Sequence, residues 1–174
     1  MSKKIDLKKY IRTIPNFPKA GILFRDITTL LKNKKAYKIA VDALVDKYKN
    51  KKIDIVVAVE ARGFILGGAI AHKLNAGFVP VRKKGKLPAK TNSVTYALEY
   101  GTDTLEMHHD AIKPKDRALI VDDLLATGGT VKAVVDLIKQ QKAKITGIAF
   151  LIELTDLKGK DKLKGYPIYS LIKY

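Results

Sequence analysis

The chain has 174 residues, 47% of them apolar, which suits one domain with a sizeable core and argues against global disorder. It has no cysteine, which excludes a disulfide scaffold, a thiol nucleophile and a cysteine-based metal site. Basic residues outnumber acidic ones 34 to 17, a formal charge of +17 that raises nucleic acid as a partner.

Residues 1–30 precede the first regular unit and carry apolar Ile22, Leu23 and Phe24 just before Arg25. Tyr37, Ala40, Val41, Leu44, Val45 and Tyr48 then recur at the spacing of an amphipathic helix. Ile53 to Val59 is short and β-branched and reads as a buried strand. Gly63 to Leu74 is long and rich in small residues, a helix, and Gly77 to Val81 is a second strand. Residues 83–116 form a polar insert. Within it Val94–Tyr100 and Thr104–Met107 flank Gly101-Thr102-Asp103 as a hairpin. Inserts of this length in compact domains serve as lids or binding loops. Arg117 to Val121 is a third strand, and Val131, Val134, Val135 and Ile138 mark a helix. Ile145 to Ile152 and Ile168 to Ile172 complete a set of five strands. Strand–helix–strand repetition predicts an α/β fold, a mainly parallel five-stranded sheet flanked by helices in a single domain over residues 1–174.

The strongest chemical signal is Leu119-Ile120-Val121-Asp122-Asp123-Leu124-Leu125-Ala126-Thr127-Gly128-Gly129-Thr130. A buried strand ends in two acids, a Gly-bearing loop follows, and a helix begins. In open α/β sheets ligands bind beyond the carboxyl ends of the strands. Backbone amides and a helix N-terminus suit a phosphate, with Thr127 and Thr130 adding hydroxyl donors. Asp122 and Asp123 would repel a bare phosphate, but carboxylates accept hydrogen bonds from sugar hydroxyls and can stand near a metal. Phosphate on one side and a diol on the other describes a ribose 5-phosphate. Neither GxxxxGK[ST] nor GxGxxG occurs, which sets the loop apart from ATPase and dinucleotide sites.

This string resembles the sugar-donor motif of the type I phosphoribosyltransferases. Further marks run along nearly the whole chain: Ile14-Pro15-Asn16-Phe17-Pro18 with Gly21 to Ile27, Glu60-Ala61-Arg62-Gly63-Phe64, Val79 to Lys83 with Gly85-Lys86-Leu87-Pro88, Leu98-Glu99-Tyr100-Gly101, and Glu153 to Gly159. Together they point to the branch whose acceptor is adenine. The resemblance implies that phosphoribosyl pyrophosphate is the donor and that AMP and pyrophosphate are the products. Mg²⁺ would be carried on substrate oxygens and water rather than on a protein cage. It also implies an N-terminal hood, a flexible hairpin lid and a homodimer.

By the same resemblance Asp122, Asp123, Ala126, Thr127, Gly128, Gly129 and Thr130 hold the ribose phosphate. Glu60, Ala61, Arg62 and Gly63, with Lys86, face the pyrophosphate. Arg82 and Glu99 are catalytic, with Tyr100 beside Glu99 in the lid. Leu23, Phe24 and Arg25 bind the base. A first peptide of the Glu60–Gly63 loop that is not trans is a family trait. Two other readings stay open: transfer to another purine base, and a purine-nucleotide-sensing regulator on the same fold.

The charge is unevenly placed. Residues 1–52 carry 15 basic and 4 acidic side chains, and 29 of the 34 cations are lysine. Scattered lysine is ordinarily solvated surface. No zinc-finger spacing, ribonucleoprotein motif or basic zipper accompanies it, so nucleic acid is not expected as a main partner. Of the five arginines, Arg25, Arg62 and Arg82 fall inside the motifs above, where a planar fork does what an ammonium cannot. His108-His109 does not suggest a metal site, because neighbours on a strand point to opposite faces. The opening MSKKIDLKKY lacks the apolar stretch of a secretory signal, and no apolar run approaches the ~18 residues of a membrane span. With the missing cysteines this fits a reducing, cytoplasmic setting without membrane contact.

Overall fold

The computed structural model describes residues 5–97 and 101–174. They fall into two compact units that divide between Ala43 and Leu44. In the N-terminal unit, strands β1 (Arg12–Pro15) and β2 (Leu23–Asp26) pair antiparallel, with Arg12 opposite Asp26 and Pro15 opposite Leu23. Their connection turns at Asn16 and Gly21, both with positive φ, and the Asn16 side chain accepts the Gly21 amide at 2.9 Å. Asp26 closes the unit chemically. Its Oδ2 takes Nε and Nη2 of Arg12 at 3.0 and 2.5 Å, and its Oδ1 takes the Thr28 amide at 2.8 Å, at the start of α1 (Thr28–Leu31). These hydrogen bonds, from Thr28 and then Arg12, pull the Asp26 carboxyl down to about 2.

Helix α2 (Lys34–Tyr48) runs from the first unit into the second. Asn33 starts it, its side-chain oxygen accepting the Ala36 amide at 3.0 Å. Ala36, Ala40, Val41, Leu44 and Tyr48 are buried along one stripe, following the helical period read in the sequence.

The second unit is built on β3 (Ile55–Val59), α3 (Arg62–Leu74), β4 (Gly77–Lys83), β5 (Thr91–Ala97), β6 (Thr102–His108), β7 (Arg117–Leu125), α4 (Gly129–Gln140), β8 (Lys144–Glu153) and β9 (Ile168–Lys173). One sheet has the order β5-β6-β4-β3-β7-β8-β9. The β4-β3-β7-β8-β9 part is parallel throughout, so the five expected strands form the expected sheet. The difference lies at its edge. The hairpin β5–β6 joins the same sheet, because β6 pairs antiparallel with the end of β4 at Arg82–Glu106 and Lys83–Leu105. The sheet therefore has seven strands. Apolar residues are buried almost without interruption along β7 and β8, as parallel strands covered on both faces require.

The order also locates a site. From β3 the chain crosses through α3 to β4 on one side, and from β7 through α4 to β8 on the other. Right-handed crossovers in opposite directions leave a crevice beyond the carboxyl ends of the two central strands, here β3 and β7. The amino ends of the same pair are tied by Arg117, whose Nε and Nη2 donate to Asp54 at 2.8 and 2.6 Å.

The depressed Asp26 carboxyl gives a pH test of the N-terminal unit. A lowered acid favours the folded state above its ordinary value of about 3.9, and that gain disappears as pH falls through about 2. Asp26→Asn is expected to lower Tm by a few degrees at pH 6. The gap to the parent chain should close steadily between pH 4 and pH 2 in thermal melts.

Candidate active site

Three segments converge at the carboxyl ends of β3, β4 and β7. The first is the end of β7 and the loop into α4. Asp122, Leu124, Leu125, Ala126, Thr127, Gly128, Gly129, Thr130 and Val131 line a cradle of about 70 Å³. Gly128 precedes α4 in the left-handed region (φ 80°), and no side chain caps the helix. The first-turn amides and the positive end of the helix dipole are thus left for an anion. All seven residues assigned to the sugar donor sit on this stretch, and the two acids are buried beneath it.

Burial sets the chemistry of the acids. It raises Asp122 well above the ordinary carboxylate range, and the neighbouring charge of Asp123 adds to the shift. Burial also raises Asp123, while the Arg62 guanidinium pulls it back, its Nε lying 2.9 Å from Asp123 Oδ2. The Asp123 amide donates to Asp122 Oδ1 at 2.9 Å. Gly63 makes the approach possible: a Cβ there would stand 2.8 Å from Asp122 Oδ1 and 3.4 Å from the Val121 carbonyl oxygen.

The second segment is Glu60–Gly63, between β3 and α3. The Glu60–Ala61 peptide is cis, in line with the family trait. Glu60 is a collector of cations. Its Oε2 accepts Nε and Nη2 of Arg82 at 3.2 and 3.1 Å and Nζ of Lys86 at 3.3 Å, while Oε1 accepts the Lys83 amide at 2.7 Å. Burial pushes the Glu60 carboxyl up, but the bonds from Lys83, Arg82 and Lys86 outweigh it and hold it below its usual value.

The third segment is the cation run at the end of β4. Arg82 Nη1 donates to the Lys86 carbonyl at 3.2 Å, and the Gly85 amide donates to Glu106 at 2.9 Å, so the turn is folded around its own charges. Lys83 pairs with Asp103 on β6 at 3.0 Å. The hairpin also reaches the first turn of α4: the Tyr96 hydroxyl stands 3.4 Å from Thr130 Oγ1.

The structure therefore brings Glu60, Ala61, Arg62, Gly63, Arg82 and Lys86 to the same edge as the Asp122–Thr130 stretch. Leu23, Phe24 and Arg25 lie together on β2 of the other unit. Leu23 is exposed, Phe24 meets Phe17 edge-on at 5.1 Å, and Arg25 Nη1 donates to Thr13 at 2.6 Å. Glu99 and Tyr100 lie outside the described residues. One contributor, Tyr96, is not singled out by the sequence, where it reads as one more hairpin aromatic. Glu60 is expected at the pyrophosphate, and the structure shows it as the counter-ion of the cation run. A carboxylate offered as a pyrophosphate neighbour needed a cation to hold, and that was the available signal.

The model for the phosphoribosyl transferase domain matches residues 26–172. This chain belongs to the phosphoribosyltransferase family. It is 58% identical to the adenine phosphoribosyltransferase of Desulfitobacterium hafniense (strain Y51), over 99% of each chain. The structure of the adenine phosphoribosyltransferase from Thermoanaerobacter pseudethanolicus superposes with a TM-score of 0.94 at 52% identity, covering 97% of this chain and 98% of that one. The Saccharomyces cerevisiae enzyme, complexed with D-2,5-dideoxy-2,5-imino-altritol 1,6-bisphosphate and adenine, has a TM-score of 0.90 at 40% identity, with 95% and 96% covered. As a phosphoribosyltransferase fold, the chain keeps the acid pair and the Ala126–Gly128 loop on one continuous stretch. No helix among the described residues is long and apolar enough to cross a membrane.

The raised acid pair yields a prediction. An acid raised on folding prefers its protonated form in the native state, so ionisation above the ordinary Asp range costs stability. Asp122→Asn keeps the acceptor for the Asp123 amide and removes that cost. Tm at pH 7 is expected to rise by a few degrees, the scale of about 1 kcal/mol in a chain of this length. Affinity for ribose 5-phosphate should fall in the same protein, measured by calorimetry.

Proposed function

We propose that this chain transfers the 5-phosphoribosyl group from phosphoribosyl pyrophosphate to adenine, giving AMP and pyrophosphate. The observation that carries this reading is the buried Asp122–Asp123 pair beside an uncapped helix N-terminus, with Asp122 lining the same cradle as Thr127–Thr130. The names of the relatives, adenine phosphoribosyltransferases along the full chain, support the choice of donor and base.

In this reading the amides of Ala126 to Gly129 and the hydroxyls of Thr127 and Thr130 take the 5-phosphate. Asp122 and Asp123 accept the ribose hydroxyls and offset the positive charge that grows on the ring. Ala61, Arg62 and Gly63 receive the pyrophosphate, joined by Arg82 and Lys86 once these turn from Glu60 to the stronger anion. The bond from C1 to the pyrophosphate oxygen breaks as the bond to the adenine nitrogen forms on the opposite face, with inversion. Catalysis is positioning and electrostatics, without a covalent enzyme intermediate. Leu23, Phe24 and Arg25 hold the base, Phe24 through its ring face and Leu23 through its backbone. Glu99 hydrogen-bonds a purine nitrogen, protonating it in the reverse direction and, as the C1–N bond forms, taking up the proton that adenine loses; Tyr100 stands beside it, and the hairpin closes as a lid against water.

Mg²⁺ fits the donor set. Asp122 and Asp123 are a carboxylate pair held above their ordinary range, which a nearby cation would relieve. They would face the ion through water while substrate oxygens carry it. Bound there, it would supply positive charge against the departing pyrophosphate. We further propose a homodimer, supported by the exposed apolar side chains Ile65 and Phe78, the latter edge-on to Phe64 at 5.7 Å. A cytoplasmic setting is supported by the cysteine-free composition.

A base panel tests the activity. With phosphoribosyl pyrophosphate and Mg²⁺, adenine is expected to release pyrophosphate, while hypoxanthine, guanine and xanthine do not. Turnover of hypoxanthine with adenine inert would reassign the base, and tight sequence-specific nucleic-acid binding without turnover would replace the enzymatic reading. Glu99→Leu should lower kcat by about 10²–10⁴ while leaving donor affinity nearly unchanged. An intact kcat removes Glu99 from the chemistry.

A further inference from the structure

The underside of the phosphate loop is closed by main chain from the C-terminal part of the molecule. Gly159 opens a 3-10 turn, Gly159–Leu163, immediately after left-handed Lys158. A Cβ placed on Gly159 would stand 2.1 Å from the Ala126 carbonyl oxygen and 2.9 Å from Leu125 Cδ1. The contact is reciprocal, since a Cβ on Gly128 would stand 2.4 Å from the Gly159 carbonyl oxygen. Real Cβ atoms do not approach main chain this closely, and main chain cannot swing aside as a side chain does. The two segments are therefore in register backbone against backbone, and Ala126 and Gly128 both line the cradle.

The turn is anchored from both ends. Leu163 is fully buried in the core cluster that includes Val131, Val134 and Ile138 of α4. Lys160 pairs with Glu153 at 2.8 Å, and Glu153 is the β8 residue opposite Leu125 in the sheet. The cradle thus has a fixed floor built from chain far downstream of the motif that names it.

We propose that Gly159 is a positioning residue for the 5-phosphate of the sugar donor. Its bare Cα sets how deep the Ala126–Gly128 main chain sits, and hence where the loop amides point. The proposal rests on reading that loop as the phosphate site. Displacing a binding group by about 1 Å costs up to about 10²-fold, so a methyl group under the loop should act on donor binding first.

The test compares Gly159→Ala with Gly165→Ala in the full chain. Gly165 has positive φ (92°) but open space around it, so its variant imposes backbone strain in the same region without touching the loop. Ribose 5-phosphate affinity is measured by calorimetry well below each Tm, and donor KM and adenine KM in steady state. For Gly159→Ala, ribose 5-phosphate affinity should fall, and donor KM rise, by about tenfold or more. Adenine KM should stay within about twofold of the parent value, and Gly165→Ala should keep parental donor affinity whatever its Tm.

A Gly159→Ala protein with lowered Tm but parental ribose 5-phosphate affinity overturns the proposal, as does an equal loss in Gly165→Ala. If Gly159→Ala does not fold, Lys160→Met decides. It frees the turn from Glu153 and adds nothing beneath the loop, so a loss of about threefold in ribose 5-phosphate affinity at parental adenine KM is expected, and no loss overturns the proposal. A parent chain that itself fails to bind ribose 5-phosphate removes the reading of the loop, a result separate from any variant's.

Discussion

Two carboxylates, adjacent in sequence and nearly shut off from water at the end of a buried strand, set the terms for the site around them. An isolated acid in such a place would be neutralised or removed, because burying a charge without a partner is costly. Here the parallel pairing of β3 with β7 supplies the remedy. With Ala58 opposite Val121, the chain leaving β3 passes directly by Asp122 and Asp123 and delivers Gly63 and Arg62 to them. Gly63 gives the room and Arg62 the opposing charge. The bidentate Arg117–Asp54 pair holds the other ends of the same two strands. The register on which the acids depend is therefore fixed at both ends of the strand pair.

The neighbouring cluster follows the same logic with signs reversed. Arg82 and Lys86 would repel one another along a short strand end, and Glu60 draws them together. The cluster thus holds its cations at the end of β4 gathered on one carboxylate. Arg62, Arg82 and Lys86 are each tied to a carboxylate at this edge of the sheet.

Much of this was legible in the sequence, for identifiable reasons. The core strands are short β-branched runs whose burial is nearly continuous, so type and order could be read from Ile55–Val59, Arg117–Leu125 and Lys144–Glu153. The rarity of arginine was informative too. Arg62 and Arg82 meet buried carboxylates at the site, while Arg12 and Arg117 bind Asp26 and Asp54 as structural clasps. What stayed hidden was tertiary. Nothing in Arg82-Lys83 announces that β6 will pair there and carry the hairpin into the main sheet. Nor does local pattern say that Gly159 faces Ala126, because that contact joins segments whose proximity only the completed sheet creates.

The glycine pair in the loop takes on a second meaning from this. A Gly-Gly before a helix is usually read from the ligand's side, as backbone free to wrap an anion. In this molecule the pair is also constrained from behind. Gly128 needs its positive φ and has the Gly159 carbonyl against it. Gly129 lies under the Tyr96 ring, which would stand 3.6 Å from a Cβ there, and Tyr96 belongs to the hairpin that leads to Glu99. The loop is thus held between a rigid floor and the strand that carries the hairpin. The Thr130 hydroxyl is itself within reach of Tyr96. The start of α4 and the hairpin therefore share a contact, and the position of one constrains the other.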